Sequence, residues 1–274
     1  MKKNYTLLAV LLLSLIGSTR VYAGWPVGKK RYLVGTSFYT YFSSNYWDRN
    51  GKFHNNNTSK FSAYSVGVFA DYGLTRKLDI LVNLPVSYQY LKQPGSNLKN
   101  VGTGDLQLGL NYVLKSFNLK NYITGYAGAI IPTYAQKINQ TLGYAYYGAE
   151  FRLSNTGNIK LGKHNGYYNV DADYRKYFAD DGPSQFNYMG TFGYFFNKYN
   201  QVLVDVAGTI SASPTKIFNN YAGSTLDYRN VRVQLDYGYT VNRRVSVYAS
   251  GFYTVSGFNI GQAYGGSLQL LMRL

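Results

Sequence analysis

The chain of 274 residues contains no cysteine. That excludes both a disulfide framework and a cysteine-ligated metal site. Histidine is nearly as scarce, with only His54 and His164 available for imidazole chemistry. Acidic residues are few, 12 against 28 Lys and Arg, which gives a formal net charge of +16. Beyond residue 23 there is no apolar run long enough for a membrane helix, so a helical anchor in the body of the chain is excluded. A basic excess of this kind suits nucleic acid or a membrane surface, and the N-terminus separates the two.

Lys2 and Lys3 form a positive n-region, Leu7 to Ile16 a short apolar h-region, and Val21-Tyr22-Ala23 a small-residue cleavage site before Gly24. This predicts a cleaved secretory signal over residues 1–23 rather than a retained helix. Export makes nucleic acid an implausible partner. An exported chain without a helical anchor can still reside in a membrane, but only as a closed barrel.

What is present is a two-residue rhythm along most of the chain. Leu78, Ile80, Val82, Leu84 and Val86 alternate with Asp79, Leu81, Asn83, Pro85 and Ser87. Leu106, Leu108, Leu110 and Tyr112 alternate with Asp105, Gln107, Gly109 and Asn111. Period two means strands with one apolar and one polar face. Asp79, Asp105, Asp171, Asp173, Arg175, Asp205, Arg232 and Asp236 fall mid-strand on the polar face. A soluble sandwich would need a second sheet, whereas a membrane barrel turns these faces to lipid and to a polar lumen. Tyrosine dominates the aromatics, 31 residues against 15 Phe and 2 Trp, and suits the girdles of such a barrel. Mean hydropathy is only weakly negative, as expected when two such faces cancel. The predicted fold is all-β, a single antiparallel transmembrane β-barrel over residues 24–274 with both termini periplasmic.

Strands are predicted near 31–42, 60–73, 77–88, 103–115, 121–132, 143–153, 166–178, 185–196, 200–211, 226–240, 244–255 and 262–274. Twelve is an even number, as bacterial barrels require. Leu74-Thr75-Arg76, Asn197-Lys198-Tyr199 and Val241-Asn242-Arg243 read as tight periplasmic turns. Ser43–Ser59, Tyr90–Gly102, Tyr134–Thr141 and Ala212–Thr225 read as longer external loops. Asn155–Asn165 breaks the pattern as a long connection on the periplasmic side. Alternation is weak in the first strand.

Loss of Lys2, Lys3 and Arg20 with the signal leaves 25 basic and 12 acidic residues, a net charge of +13. Lys52, Lys60, Lys92, Lys99 and Lys137 fall in external connections, and Arg76, Lys77, Lys120, Lys160, Lys163, Arg243 and Arg244 in internal ones. They read as a solvated basic rim, with pairing of the external lysines to phosphates of lipopolysaccharide as the alternative. The acidic residues read differently. Asp71, Asp79, Asp105, Glu150, Asp171, Asp173, Asp205, Asp236 and Asp227 are predicted inside the barrel, facing Arg152, Arg175, Arg229, Arg232 and Arg273. Unpaired charges in a dry interior are costly, so the lumen must hold water, ion pairs or both. Pro85 and Pro132 lie within strands of a sheet that has no free edge. Each implies a bulge, a kink or the end of pairing near the external rim. The sharper reading is a local gap in the wall through which an apolar solute leaves sideways.

The runs Tyr72-Gly73-Leu74-Thr75-Arg76-Lys77-Leu78-Asp79, Leu84-Pro85, Gly104-Asp105-Leu106-Gln107-Leu108-Gly109-Leu110-Asn111-Tyr112 and Ile131-Pro132-Thr133 resemble the outer-membrane barrels of the phenol-degradation (MetA-pathway) family. The resemblance is clearest over residues 61–133. It implies a passive transporter for hydrophobic or aromatic compounds. The chain departs from such barrels at its end, Leu270-Leu271-Met272-Arg273-Leu274, where an aromatic residue is usual.

Three functions follow. The first is a narrow passive channel for small solutes, lined by the inward charges. The second is a filled structural barrel whose external loops bind a protein partner or envelope component. The loop Ser43–Ser59, with Tyr46, Trp47 and a run of asparagines, is its candidate contact surface. The third is a surface hydrolase. It is weak, because neither histidine has a serine at a telling spacing, and Asp180-Asp181, which His54 would have to approach, sits among turn formers. No cofactor and no metal site is implied.

Overall fold

A strand in lipid must give each backbone amide and carbonyl a partner on a neighbouring strand, which an open sheet cannot do at its edges. The computed structural model of the protein describes residues 25–56, 58–134, 142–216 and 225–274. Its strands are β1 (Tyr32–Trp47), β2 (Phe53–His54), β3 (Lys60–Gly73), β4 (Leu78–Gln93), β5 (Ser96–Thr103), β6 (Asp105–Phe117) and β7 (Asn121–Pro132). They continue as β8 (Gly148–Leu161), β9 (His164–Tyr177), β10 (Ser184–Phe195), β11 (Asn200–Ala212), β12 (Tyr228–Thr240), β13 (Val245–Phe258) and β14 (Ile260–Arg273). Sequential antiparallel pairing ends with β14 returning to β1, from Leu33 opposite Arg273 to Trp47 opposite Ile260. With β2 an appendage of β1, and β5 and β6 one interrupted strand, the result is a closed barrel of twelve strands.

The start of β1 and the end of β14 lie at one end, here the near end, together with Leu74–Lys77, Asn118–Lys120, Gly162–Lys163, Phe196–Tyr199 and Val241–Arg244, turns of two to four residues. The long connections lie at the far end. The predicted signal at 1–23 lies outside the described residues, as does Lys137.

Several predicted boundaries are corrected. Asn155–Asn165 is not a long connection: β8 and β9 run on to a tight turn at Gly162, whose φ of 63° suits glycine. Tyr90–Gly102 is not a loop, since β4 and β5 form a hairpin that extends the wall at the far end. The first strand reaches Trp47, and its weak alternation has a cause. Tyr39 and Tyr41 face inward while Phe38 and Phe42 face outward, so both of its faces are aromatic.

The two prolines differ. Pairing of β4 with β6 stops at Asn83–Gln107 and resumes with β5 at Val86–Thr103. Pro85 sits in that break, and its carbonyl accepts the Gly104 amide at 2.7 Å. Pro132 ends β7 opposite Asp105. Above it, among the described residues, β5 pairs with β4 alone, and Thr133 Oγ1 reaches across to donate to the Gly104 carbonyl at 2.6 Å.

Outward positions carry the apolar residues, including Leu108, Leu110, Leu153, Val204, Val206 and Leu268, all exposed. Inward positions pack where the lumen narrows. At the closing seam, a Cβ on Gly265 would lie 1.9 Å from the Thr40 carbonyl oxygen of β1. Gly265→Ala is expected to destabilise the barrel by about 1–3 kcal/mol. Gly190→Ala, with nothing within 4 Å of its Cβ, should be neutral. Thermal unfolding of the purified proteins, read by circular dichroism, checks both.

Candidate functional site

Strand parity brings one face of each strand to the lumen. There the walls enclose a cavity of about 850 Å³. Arg152, Asp171, Asp173, Arg175, Asp205, Arg232 and Asp236 line it. Asp71, Asp79, Asp105 and Glu150 lie on the same faces but under cover: Asp71, Asp79 and Glu150 are buried and Asp105 half-buried. The Val27 amide donates to Asp79 at 3.2 Å, so the segment before β1 covers this carboxyl. Gly143 covers Asp105, with space for a Cβ blocked 2.6 Å from Asp105 Oδ2.

The charged wall follows the ladder. Register sets Glu150 opposite Arg175 and Arg152 opposite Asp173. Glu150 lies 2.9 Å from both guanidinium groups, and Arg175 Nε lies 3.5 Å from Asp173. Next, Asn187 donates to Asp173 at 2.6 Å, and Thr209 donates to Asn187 at 2.7 Å. Arg152, Asp173, Asn187 and Thr209 are successive cross-strand partners, so one polar row runs over β8, β9, β10 and β11, with Glu150 and Arg175 as the opposed pair beside it. The Arg152 guanidinium also sits 4.6 Å from the Tyr126 ring centre.

On the opposite wall Arg232 donates to the Tyr39 hydroxyl at 2.9 Å and lies 5.2 Å from the Phe252 ring centre. Tyr39 stacks on Phe252 at 5.1 Å with 9° between planes. Gln234 donates to Asp236 at 2.9 Å, and Asp205 lines the same wall.

Apolar side chains meet across both ends of the cavity. At the near end Phe69, Leu203, Tyr248 and Leu271 pack together with Leu33 and Tyr167. Trp25 lies edge-on to Tyr167 at 5.6 Å. Phe69 needs the bare backbone of Gly35, where a Cβ would lie 1.9 Å from its ring. At the far end Tyr144 and Leu226 fold inward from the connections against Ile130 and Tyr177. Gln185 holds the Tyr144 hydroxyl at 2.8 Å.

Two residues expected inside are elsewhere. Arg229 falls on the outward parity of β12, exposed and 5.5 Å from the Phe258 ring centre. Asp227 precedes the strand and pairs with Lys216 at 2.8 Å at the far mouth. Arg273 does line the cavity at its near end. His54 is paired with Asp48 at 2.8 Å, and the Asp181 carbonyl accepts from Ser213 at 2.6 Å. The His54 contact, with the Lys52 amide, holds the Asp48 carboxyl below the usual carboxylate range. That contribution is present at neutral pH and is lost as pH falls through the lowered value. His164 lies at the near-end turn against Tyr194. No group of three metal-ligating side chains occurs among the described residues.

Sequence reasoning missed the lumen aromatics and the two caps. Tyr39, Tyr41, Tyr126, Tyr167, Tyr177 and Tyr248 are inward, so tyrosine is not only a girdle residue here. Parity within the strands carried that signal; the inward fold of Trp25 and Tyr144 had none.

No protein-family model and no curated protein matches the chain. Solved structures do. The COG4313 outer membrane channel from Pseudomonas putida F1 superposes with a TM-score of 0.71 at 12% identity, over 94% of this chain and 100% of the other. The likeness is one of fold. The NanC porin gives 0.53 at 9% identity over 88% of this chain and 100% of its own. The translocator domain of the autotransporter NalP from Neisseria meningitidis gives 0.51 at 10% identity, over 99% and 95%. The fold is thus similar to those of proteins described as an outer membrane channel, a porin and an autotransporter translocator domain.

Glu150 is the common partner of two buried guanidinium groups. Glu150→Gln removes the carboxylate that both guanidinium groups share and is expected to cost about 3 kcal/mol. Unfolding in guanidinium chloride, compared with the native protein, measures it.

Proposed function

We propose that the protein is a narrow passive channel of the bacterial outer membrane for small solutes, apolar and aromatic ones foremost. The observation that carries this is the cavity of about 850 Å³ enclosed by the barrel wall. Its size suits one small molecule or a few. Its lining joins aromatic rings (Tyr39, Tyr41 and Phe252) to the charged rows described above. The likeness of fold to an outer membrane channel and a porin supports the reading, as does the sequence resemblance to barrels that admit hydrophobic compounds. The far end, with the long connections, faces outward and the termini face the periplasm, the usual arrangement of such barrels.

Passage has to negotiate the caps. From outside, a solute displaces Tyr144 and Leu226. Inside, the near end is closed by Phe69, Leu203, Tyr248 and Leu271, with Trp25 against Tyr167. The irregular pairing at Pro85 and Gly104, where β5 pairs only with β4 among the described residues, offers an apolar solute a way sideways into the bilayer.

The apolar side chains that meet across both ends also favour a second reading, a filled scaffold whose far-end connections hold a partner. Conductance separates the two. The refolded protein in a planar bilayer is expected to show discrete steps, with Asp171, Asp173, Asp205 and Asp236 balanced along the cavity by Arg152, Arg175, Arg232 and Arg273. Replacing Asp171, Asp173, Asp205 and Asp236 by Asn should move the reversal potential in a salt gradient toward anions. A folded barrel that stays silent would favour the scaffold. Open steps whose selectivity ignores the four substitutions would place the path elsewhere.

A further inference from the structure

Every carboxylate within the barrel strands faces the lumen, so the outward wall carries no acidic side chain among the described residues. It does carry lysines, and three of them cluster. Lys60 is directly opposite Lys92 in the β3–β4 ladder, and Lys99 of β5 is opposite Tyr90, one outward position below Lys92. All three are exposed and share the outward parity with Tyr64, Tyr88 and Tyr90. Directly opposed side chains on one face of a ladder stand about 5 Å apart at Cβ. A like-charged pair at that spacing destabilises the hairpin. None of the three belongs to an ion pair among the described residues. The one contact shown is Lys99 lying 6.0 Å from the Tyr90 ring centre.

The surroundings set the height of this cluster in the membrane. Just below it, Phe42 meets Tyr64 at 6.0 Å and Tyr264 at 5.8 Å, and Tyr64 meets Tyr88 at 6.3 Å. Such an outward aromatic band sits at the headgroup level. Below it the wall is apolar, with Val66 opposite Val86 and Val68 opposite Leu84. A ligand that fits therefore needs acyl chains for the lower wall and more than one negative charge for the upper. Hydrogen bonds from ammonium groups to phosphate are the strong kind. They also relieve the repulsion between Lys60 and Lys92.

We propose that Lys60, Lys92 and Lys99 form a docking site on the outer wall for the phosphates of lipid A, the membrane anchor of lipopolysaccharide. The site rests on the outer-membrane placement proposed above and is independent of conduction through the lumen. Lipid A matches in charge because it bears phosphates on a sugar unit carrying several acyl chains, so one molecule spans both parts of the surface.

The test is binding of lipid A to the purified full chain in mixed micelles, read by native mass spectrometry and by the apparent unfolding temperature. Lipid A is expected to bind and to raise that temperature, and its dephosphorylated form is not. Lys60→Gln/Lys92→Gln/Lys99→Gln is expected to weaken binding by about tenfold or more. Lys115→Gln, on the outward wall of β6 at the near end, should leave binding unchanged. Lys92→Gln alone carries a sign reversal. It should unfold at a higher temperature than the native protein without lipid A and at a lower one with it. If the triple variant does not fold, this single variant and the dephosphorylated lipid still decide. Equal binding of the dephosphorylated form, unchanged affinity in the variants, or phosphatidylglycerol binding as tightly as lipid A would overturn the site. Density fractionation of cells tests the outer-membrane placement separately, so failure of that reading is not mistaken for failure of the patch.

Discussion

Backbone hydrogen bonding in a medium without water governs this molecule. No lipid-facing amide can be left to solvent, so the first and last strands must find each other, and β14 pairs with β1 along nearly its full length. Once the ring closes, side-chain parity has only two destinations. Apolar residues go to the bilayer and polar residues to the lumen. The confinement of strand carboxylates to the inside is then a consequence of closure, since a carboxylate facing acyl chains would be costly.

Within that constraint the lumen is organised by register rather than by sequence neighbours. Glu150 and Arg175 are 25 positions apart yet directly opposed. Arg152, Asp173, Asn187 and Thr209 follow one another in register across β8 to β11. The row is therefore a property of the ladder register. Lengthening one hairpin loop leaves the row intact, whereas a one-residue slip in one strand would turn its member toward lipid. The apolar caps use a different device, long aromatic side chains over small residues, as with Phe69 above Gly35.

Period two made the barrel, the strand number and the inward face legible in the sequence. Asp79 and Asp105 announced their side of the wall because Leu78, Ile80, Leu106 and Leu108 flanked them. Boundaries were less legible where polar residues continue a strand beyond the bilayer. Asn155–Leu161 and Tyr90–Gln93 read as connections because neither needs an apolar outward face there, yet the ladder persists. Arg229 was misplaced by assigning charge to the lumen instead of following the parity of Asn230, Arg232 and Gln234. The caps were illegible, because the inward fold of Trp25 and Tyr144 depends on space that exists only after closure.

The seam between β1 and β14 also bears on how the chain reaches this state. Leu33 and Arg273 are nearly the whole described chain apart. Loop closure over that separation costs little more than over half of it, about 0.6 kcal/mol per doubling. Contacts so distant in sequence nevertheless form slowly. Every hairpin between them can form first, leaving a curled sheet with two long bare edges. Such edges are templates for pairing with another chain. The hazard for this protein is thus concentrated in the interval before the seam zips, when a second copy competes with its own β1 for β14.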